Sequence, residues 1–189
     1  MLLPPEFNEL SRKEYMVCLD MRNDYEIEVG RLKGALCPPS SSFCGEVVVE
    51  QLPNEKDCNI QLYCTDGLHC EKDSARMRHH GFQDGSQLHG GCIAFTEEVR
   101  KHELGSRFIG KSFGFDEHIG ERIIPDVISC CYSCGETCDI DVNCVYDPCH
   151  RLFVQCQGGI HSLKGCCCKE CKEAQILQKR LEQSASLEV

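Results

Sequence analysis

The sequence predicts an α/β domain with a parallel sheet, followed by a small cysteine-rich segment. Short apolar runs alternate with helix-forming stretches over residues 1–105, which is typical of a parallel sheet flanked by helices. The 18 cysteines are unevenly distributed along the chain. Seven of them lie before residue 105, whereas the other eleven lie between Cys130 and Cys171. A change of composition this sharp indicates two parts with different means of stabilisation.

The first part is predicted to contain strands and helices in alternation. The strands are apolar runs bounded by polar residues, and the helices carry apolar residues at helical spacing. The expected strands are residues 15–20, 59–64 and 86–88, and the expected helices are residues 71–80 and one through Ile93, Phe95 and Val99. Gly81 is expected to end the first of these helices.

We divide the chain into four parts on this basis. They are a domain at 1–105, a linker at 106–129, a cysteine-rich segment at 130–172 and a polar tail at 173–189. The linker contains several glycines and has room for one short strand. Residues 172–187 are permissive for a helix, and we expect that helix to be polar and frayed.

Composition limits the classes of function. A formal net charge of −10 favours solubility and argues against a broad nucleic-acid-binding surface, although a local patch remains compatible with it. The chain has no apolar run of about 18 residues that would predict a membrane span. The first residues lack the features of a secretory signal, so we expect a cytoplasmic protein. Cysteines in that compartment indicate reduced thiols and metal; the alternative is a secreted disulfide scaffold whose leader is missing.

The segment from Cys64 to Cys70 is the strongest candidate for a reactive site. Cys64 ends a predicted strand and the next helix begins a few residues later, and ligands of α/β sheets bind beyond the carboxyl ends of strands. Backbone N–H groups in such a turn stabilise an anion and lower the pKa of a thiol. Gly67 lets the backbone turn with its amides inward. Cys70 lies at the helix start, a second place that favours a thiolate, where it is either a resolving thiol or a buried small residue.

Several segments resemble motifs of a rhodanese domain. They are CLDMRNDYE at 18–26, GRLKGA at 30–35, CTDGLH at 64–69 and LHGG at 88–91. The last two resemble the C-x-x-G-x-R active loop and the closing L-x-G-G. The tRNA uridine hydroxylase family and its eukaryotic rhodanese-domain relatives carry D-x-R-N-x-Y-E and C-T-G-G-I-R-C-E-K-A. This chain is similar, with DMRNDYE and CTDGLHCEKDSA.

The resemblance implies a rhodanese-like fold and a cysteine enzyme with Cys64 as its catalytic residue. The reaction would be sulfur transfer through a Cys64 persulfide, or the family's oxygen-dependent hydroxylation of the tRNA wobble uridine to 5-hydroxyuridine. The implied partners are tRNA and a small sulfur donor, and no membrane. The implied active-site loop is Thr65, Asp66, Gly67, Leu68, His69 and Cys70, and the implied supporting residues are Asp20, Arg22 and Glu26. An alternative interpretation makes Arg22 and Glu26 a surface pair near the end of the sheet.

Two loop residues depart from the family. His69 replaces an arginine that would hold an anion by a bidentate contact, and Asp66 replaces a glycine and adds a negative charge. The second hypothesis is therefore a catalytically inactive module that serves as a zinc-containing binding protein. Family members also carry a further N-terminal domain, and this chain begins at the rhodanese boundary. If that domain holds tRNA, we do not expect this chain to act on tRNA alone.

The cysteine-rich segment predicts structural zinc. Cys131 and Cys134 form a C-x-x-C-G turn that points two thiolates at one tetrahedral ion. Further cysteines follow at short gaps, which is a strong zinc signal. Two sites, or one site with spare thiols, both fit the spacing. Sites in which the protein supplies every ligand stabilise the fold and are not catalytic.

The tRNA uridine hydroxylase family has a similar cysteine-rich tail. The ligands implied by the resemblance are Cys131, Cys134, Cys144, Cys149, Cys156, Cys167, Cys168 and Cys171. Gly159 replaces one family cysteine, and either Cys166 or His161 is a possible substitute for it. Cys130 and Cys138 have no family counterpart, and we interpret both as buried free thiols.

Overall fold

The computed structural model describes residues 1–38, 59–82, 85–102, 105–112, 121–122 and 126–186. The chain forms two compact units, Met1–Asp126 and Val127–Val189. Cys44 and Cys58 lie outside the described residues. The division at Asp126 places the end of the first unit beyond residue 105, and the finer four-part division stays a prediction.

The first unit contains four described helices and six described strands. The helices are α1 (Pro4–Leu10), α2 (Asp24–Val29), α3 (Leu68–His79) and α4 (Gly91–Lys101). The strands are β1 (Met16–Asp20), β2 (Gly30–Leu32), β3 (Asn59–Tyr63), β4 (Gly85–Gln87), β5 (Phe108–Ser112) and β6 (Glu121–Arg122).

A parallel sheet of order β1-β3-β4 forms the centre of the first unit. Alternate residues of β3 face opposite sides of this sheet, because side chains alternate along a strand. Ile60 and Leu62 pack into one apolar cluster with Leu19 of β1. Tyr63 packs into a second cluster with Phe7, Leu32, Phe95 and Phe108, among others. The predicted α/β fold with a parallel sheet between apolar layers is confirmed.

A second sheet, of order β2-β5-β6, is antiparallel. Its strand β5 lies within the segment 106–129 that we predicted as a linker with room for one short strand. Burial alternates along β5, with Phe108, Gly110 and Ser112 buried. These residues pair with β2, so this part of the predicted linker belongs to the first unit.

The strand and helix predictions for the first unit agree with the structure to within a few residues. Helix α3 begins three residues earlier than predicted, directly after the loop, and ends before Gly81, whose φ is +92°. Elements α1, α2 and β2 were not predicted, because they are too short to show a full hydrophobic period.

The second unit contains one hairpin and two helices. Strands β7 (Asp141–Asn143) and β8 (Leu152–Val154) pair antiparallel, and helices α5 (Gln157–Leu163) and α6 (Lys169–Ser186) follow. Helix α6 matches the predicted helical tail, and its predicted end at Leu187 lies outside the described residues. None of the helices within the described ranges has the length and apolar character needed to cross a bilayer.

Candidate active-site loop and candidate metal centres

Cys64 lies at the carboxyl end of β3, and helix α3 begins four residues later at Leu68. The residue is 1% exposed. Gly67 adopts a φ of +93°, a conformation that glycine adopts without strain, and its N–H donates to the Cys64 Sγ at 3.1 Å. A backbone N–H aimed at the sulfur favours its charged form. The expected turn with an inward amide is therefore present at Cys64.

The end of the LHGG segment and the first residues of α4 pack against this loop. The N–H of Cys92 donates to the Cys64 carbonyl at 2.9 Å, and that of Ile93 donates to the Thr65 carbonyl at 3.2 Å. A methyl group added at Gly91 would lie 2.6 Å from the Cys64 carbonyl oxygen, and Gly91 has a φ of +62°. The start of α4 and the loop thus pack backbone to backbone, which requires glycine at position 91.

Glu26 connects the loop to helix α2. Its Oε1 accepts a hydrogen bond from the Thr65 hydroxyl at 2.6 Å. Its Oε2 accepts from the Asn23 backbone N–H at 3.1 Å and from the Asn23 side-chain amide at 2.9 Å, which caps α2. One buried carboxylate therefore fixes both the start of this helix and the first residue after Cys64.

Asp20 and Arg22 form a buried bidentate ion pair at the end of β1. The Arg22 Nε donates to Asp20 Oδ1 at 2.8 Å and Nη2 donates to Oδ2 at 2.6 Å. The same Nη2 donates to the Gly30 carbonyl at 2.6 Å, at the start of β2. The interpretation of Arg22 and Glu26 as a surface pair is wrong, because each is 1% exposed and they bind different partners.

The Asp66 carboxylate faces the Cys64 sulfur. Its Oδ1 accepts the Leu68 N–H at 3.0 Å and also accepts a hydrogen bond from the Cys64 thiol, with 3.9 Å between Oδ1 and Sγ. Asp66 and Leu68 are both exposed, and the side chain of His69 lies outside the described part of the structure. The extra negative charge introduced by Asp66 is therefore close to the sulfur that would receive an anionic substrate.

Cys70 and Cys92 are buried thiols beside Cys64. A hydrogen bond with the Cys64 thiol, together with burial, raises the pKa of Cys70 well above its ordinary value. Burial raises the pKa of Cys92 to about 12. The expectation that the helix start favours a Cys70 thiolate is therefore wrong, because the neighbouring sulfur outweighs the helix end. Cys92 was not predicted as a neighbour of the site, although it directly follows the LHGG motif.

Four thiols of the second unit form one cluster. The Sγ atoms of Cys144, Cys149, Cys167 and Cys171 all lie within 4.8 Å of one another. Cys149 and Cys167 are 3.7 Å apart, and Cys167 and Cys171 are 3.6 Å apart, measured between sulfurs. Such a group could hold one tetrahedral metal ion, because a metal–sulfur bond of about 2.3 Å implies tetrahedral sulfur separations of about 3.8 Å.

A second cluster contains three thiols, those of Cys131, Cys134 and Cys156. The Sγ atoms of Cys134 and Cys156 are 3.6 Å apart. The Gly159 N–H donates to the Cys156 Sγ at 3.3 Å, and Gly135 completes the C-x-x-C-G turn with a φ of +77°. This cluster could also hold a metal ion.

In each cluster, backbone N–H groups lower the pKa of one thiol. Although burial opposes ionisation, backbone N–H groups of Cys156, Ser133 and Cys134 lower the pKa of Cys131 to about 6. Burial likewise opposes ionisation of Cys144, but N–H groups of Cys167 and Tyr146 lower its pKa. These N–H···S bonds are the contacts that stabilise metal-bound thiolates.

The other cysteine predictions have mixed outcomes. Cys168 is outside both clusters, and its Sγ accepts the Cys171 N–H at 3.4 Å at the start of α6. Cys166 packs with the four-thiol cluster, beside Cys144, and so cannot replace the ligand lost at Gly159. Cys130 is exposed, so its interpretation as a buried free thiol is wrong. Cys138 is half-buried.

The chain is similar to one protein-family model and to several curated proteins. Residues 109–172 match the family model described as Rhodanase C-terminal. A protein of Cronobacter sakazakii named tRNA uridine(34) hydroxylase is 44% identical over 174 residues, which cover 91% of this chain and 50% of the relative. The chain therefore resembles the tRNA uridine hydroxylases over nine tenths of its length and a rhodanese family model over residues 109–172. A hydroxylase of the same name from Leptospira interrogans is 42% identical over 92% of this chain and 48% of the relative.

The chain spans about half the length of the curated relatives that it matches. Among solved structures, the crystal structure of the Alr3790 protein from Anabaena sp. has a TM-score of 0.47 and 21% identity. That match covers 58% of this chain and 91% of the Anabaena chain.

Proposed function

We propose that this chain is a rhodanese-type cysteine enzyme that contributes to hydroxylation of the tRNA wobble uridine, with Cys64 as the reacting residue. The observation that supports it most is the Gly67 N–H at 3.1 Å from the Cys64 Sγ, within a loop held by buried contacts. Relatives with more than 40% identity over nine tenths of the chain are named tRNA uridine(34) hydroxylases. The names of the relatives support the proposed substrate, and the loop geometry supports Cys64 as the reacting residue.

Sulfur transfer is the chemistry that the loop supports most directly. The Cys64 thiolate attacks the outer sulfur of thiosulfate, the S–S bond of the donor breaks, and sulfite leaves with the electron pair. The product is a Cys64 persulfide, whose terminal sulfur carries the negative charge. An inward N–H stabilises both the attacking thiolate and this product.

The tRNA function is tested by gene deletion and re-expression. Deletion should abolish 5-hydroxyuridine at the wobble position, measured by mass spectrometry of tRNA nucleosides. The natural protein should restore the modification, and the Cys64→Ser variant should not. Cys37→Ser is a matched control, because Cys37 is a half-buried thiol outside the loop. Full restoration by Cys64→Ser would show that this thiol is not required.

Sulfur transfer is tested on the purified protein. After incubation with thiosulfate, intact-mass spectrometry should find the mass of one added sulfur atom on the natural protein and on Cys37→Ser. The adduct should be absent from Cys64→Ser. An adduct that persists in Cys64→Ser would place the sulfur on a different thiol.

The alternative is an inactive rhodanese module that acts as a zinc-containing binding protein. The position of Asp66 favours it, since its carboxylate lies 3.9 Å from the Cys64 Sγ and repels an anionic donor. Replacement of this residue by the family's glycine, Asp66→Gly, should then increase the rate of sulfur-adduct formation. If the natural protein already forms the sulfur adduct, and Asp66→Gly forms it at the same rate, the inactive-module alternative is contradicted.

Zinc is the metal that best fits the two thiol clusters, and its role is structural. All-thiolate donor sets suit zinc, and the sulfur separations of 3.6–3.7 Å agree with tetrahedral geometry. When bound, zinc would supply folding energy to the second unit. We place the protein in the cytoplasm, where reduced thiols and tRNA are both present.

A further inference from the structure

The three-thiol cluster lacks the ligand that position 159 would supply. A methyl group added at Gly159 would lie 3.2 Å from the Cys131 Sγ and 2.8 Å from the Gln155 Cγ, so a side chain at this position would lie beside the cluster once Gln155 shifts. Glycine offers no donor atom there. Since structural zinc takes four protein ligands, a fourth group must come from elsewhere.

Two candidates from the sequence do not reach this cluster. Cys166 is 1% exposed and packs beside Cys144 in the four-thiol cluster. His161 is exposed on α5 and is not part of either group of candidate ligands. Neither of the two substitutes that the family resemblance suggested is therefore grouped with these three thiols.

The turn that carries Cys131 brings Cys138 beside it. The Cys131 N–H donates to the Glu136 carbonyl at 2.7 Å, and the Cys138 N–H donates to the Ser129 carbonyl at 3.1 Å. The Ser129 hydroxyl donates to the Cys138 carbonyl at 2.6 Å. This pairing folds residues 136–138 back along residues 129–131. The Cys138 thiol is half-buried and is not among the three grouped thiols, but unlike His161 it interacts with the Cys131 thiol.

We propose that Cys138 is the fourth zinc ligand of this cluster, together with Cys131, Cys134 and Cys156. The proposal rests on the zinc-binding part of the proposed function. A thiolate is a better zinc donor than the competing Glu136 carboxylate, whose residue is exposed and whose side chain approaches Cys156. On binding, each coordinating cysteine that is still protonated would release its proton to solvent, and the site would become a closed four-thiolate site.

Zinc titration of the full chain against a competing chelator tests this assignment. The natural protein should bind two zinc ions, and Cys138→Ser should weaken one of them by more than about 100-fold, because even outer-shell partners of zinc ligands are worth about 10–100-fold. Cys130→Ser is the matched control, since Cys130 belongs to the same turn but is exposed. It should leave both affinities unchanged.

Cobalt substitution and a rescue variant separate ligand loss from misfolding. Thiolate-to-cobalt charge-transfer absorption should fall in Cys138→Ser by the share of one thiolate and stay constant in Cys130→Ser. Restoration of the missing ligand in the double variant Cys138→Ser/Gly159→Cys should recover the absorption and the affinity. Recovery would show that the single variant lost a ligand and not its fold.

The possible failures are distinguishable. Unchanged zinc affinity and cobalt absorption in Cys138→Ser would overturn the assignment, as would loss of the same site in Glu136→Gln with no effect of Cys138→Ser. A natural protein that binds one zinc ion, at the four-thiol cluster, would also overturn it while leaving that cluster's role intact. Complete absence of zinc binding would refute the zinc part of the proposed function as well.

Discussion

Buried thiols in the two units differ in how they ionise, because two thiols beside Cys64 have raised pKa values whereas Cys131 and Cys144 of the second unit have lowered ones. Burial raises the pKa of Cys92 to about 12, and the Cys64 thiol together with burial raises that of Cys70. By contrast, the pKa of Cys131 falls to about 6 despite burial, because backbone N–H groups converge on its sulfur. Several N–H groups aimed at one sulfur therefore outweigh burial at Cys131, whereas the single Gly159 N–H does not do so at Cys156, whose pKa is raised to about 11 by burial and by the neighbouring thiols.

Cys64 lies between these two extremes. It receives a backbone N–H as the metal-cluster thiols do, and it also contacts the neutral Cys70 thiol. A neutral neighbour can donate a hydrogen bond to a Cys64 thiolate without adding charge. The Gly67 N–H thus favours a single thiolate at Cys64, against the Asp66 carboxylate 3.9 Å away, whereas each candidate metal cluster could hold several thiolates around a cation.

The largest expected effect is the removal of metal from the second unit. Chelation of zinc should unfold residues 127–186 while the first unit remains folded, since structural zinc contributes about 10–16 kcal/mol to small thiolate domains. Hydrogen–deuterium exchange followed by mass spectrometry should show full exchange in β7, β8 and α5 and unchanged protection in β1 and β3. Equal loss of protection in both units would mean that the first unit also depends on metal.

Breaking the buried ion pair should have the next largest effect, this time in the first unit. Asp20→Ala leaves the Arg22 guanidinium buried without its carboxylate and should lower the free energy of unfolding by about 3–5 kcal/mol. Glu98→Ala is the control, because it removes a solvent-exposed pair with His102 that is worth at most about 1 kcal/mol. Urea denaturation measures both, and similar losses would contradict the role of burial.

Loss of the Thr65 hydroxyl should cost less. Thr65→Val removes a hydrogen bond to the buried Glu26 carboxylate, and we expect a loss of about 1.5–3 kcal/mol. Thr96→Val is matched in exposure, at 7% for both residues, but its hydroxyl donates to the uncharged Ile93 carbonyl. Its expected cost is about 1 kcal/mol. Equal costs, measured by denaturation, would show that the carboxylate adds nothing.

The smallest effect is a loss of stability at alkaline pH. The folded-state pKa of Cys92 is about 12 and its ordinary value is 9.0, so above pH 9 the unfolded chain releases a proton that the folded chain keeps. The free energy of unfolding should therefore fall by about 1.4 kcal/mol per pH unit above 9 from this group. Cys92→Ala should show a shallower decline between pH 9 and 10.5. Identical slopes in the two proteins would contradict a neutral, buried Cys92.

Local sequence signals predicted the central sheet and the position of Cys64. The run at 59–64 and the glycine at position 67 are contiguous in the chain, and their geometry follows from short-range rules. The sequence did not decide whether Arg22 is buried. Its guanidinium charge can be buried only because the Asp20 carboxylate and the Gly30 carbonyl both face it. Contacts of this kind depend on how separate segments fold together, so hydrophobic periodicity in the sequence does not predict them.

The cysteine clusters show the same limit. Short gaps between cysteines predicted metal binding, and the family resemblance implied all seven of the residues that form the two clusters. It could not show that Cys168 is outside them or that Cys138 lies beside Cys131. Those outcomes depend on the pairing of residues 129–131 with 136–138 and on the direction in which α6 begins.

The bridge made by Glu26 has a dynamic consequence. Helix α2 has six residues, which is too short to persist alone, so its lifetime depends on tertiary contacts. The carboxylate that caps this helix also holds the Thr65 hydroxyl, so fraying of α2 removes a restraint from the loop. Opening of the helix and loosening of the loop should then occur as one local unfolding event, with the same rate and the same sensitivity to temperature. The accessibility of Cys64 would be set by the stability of a helix distant from it in the sequence.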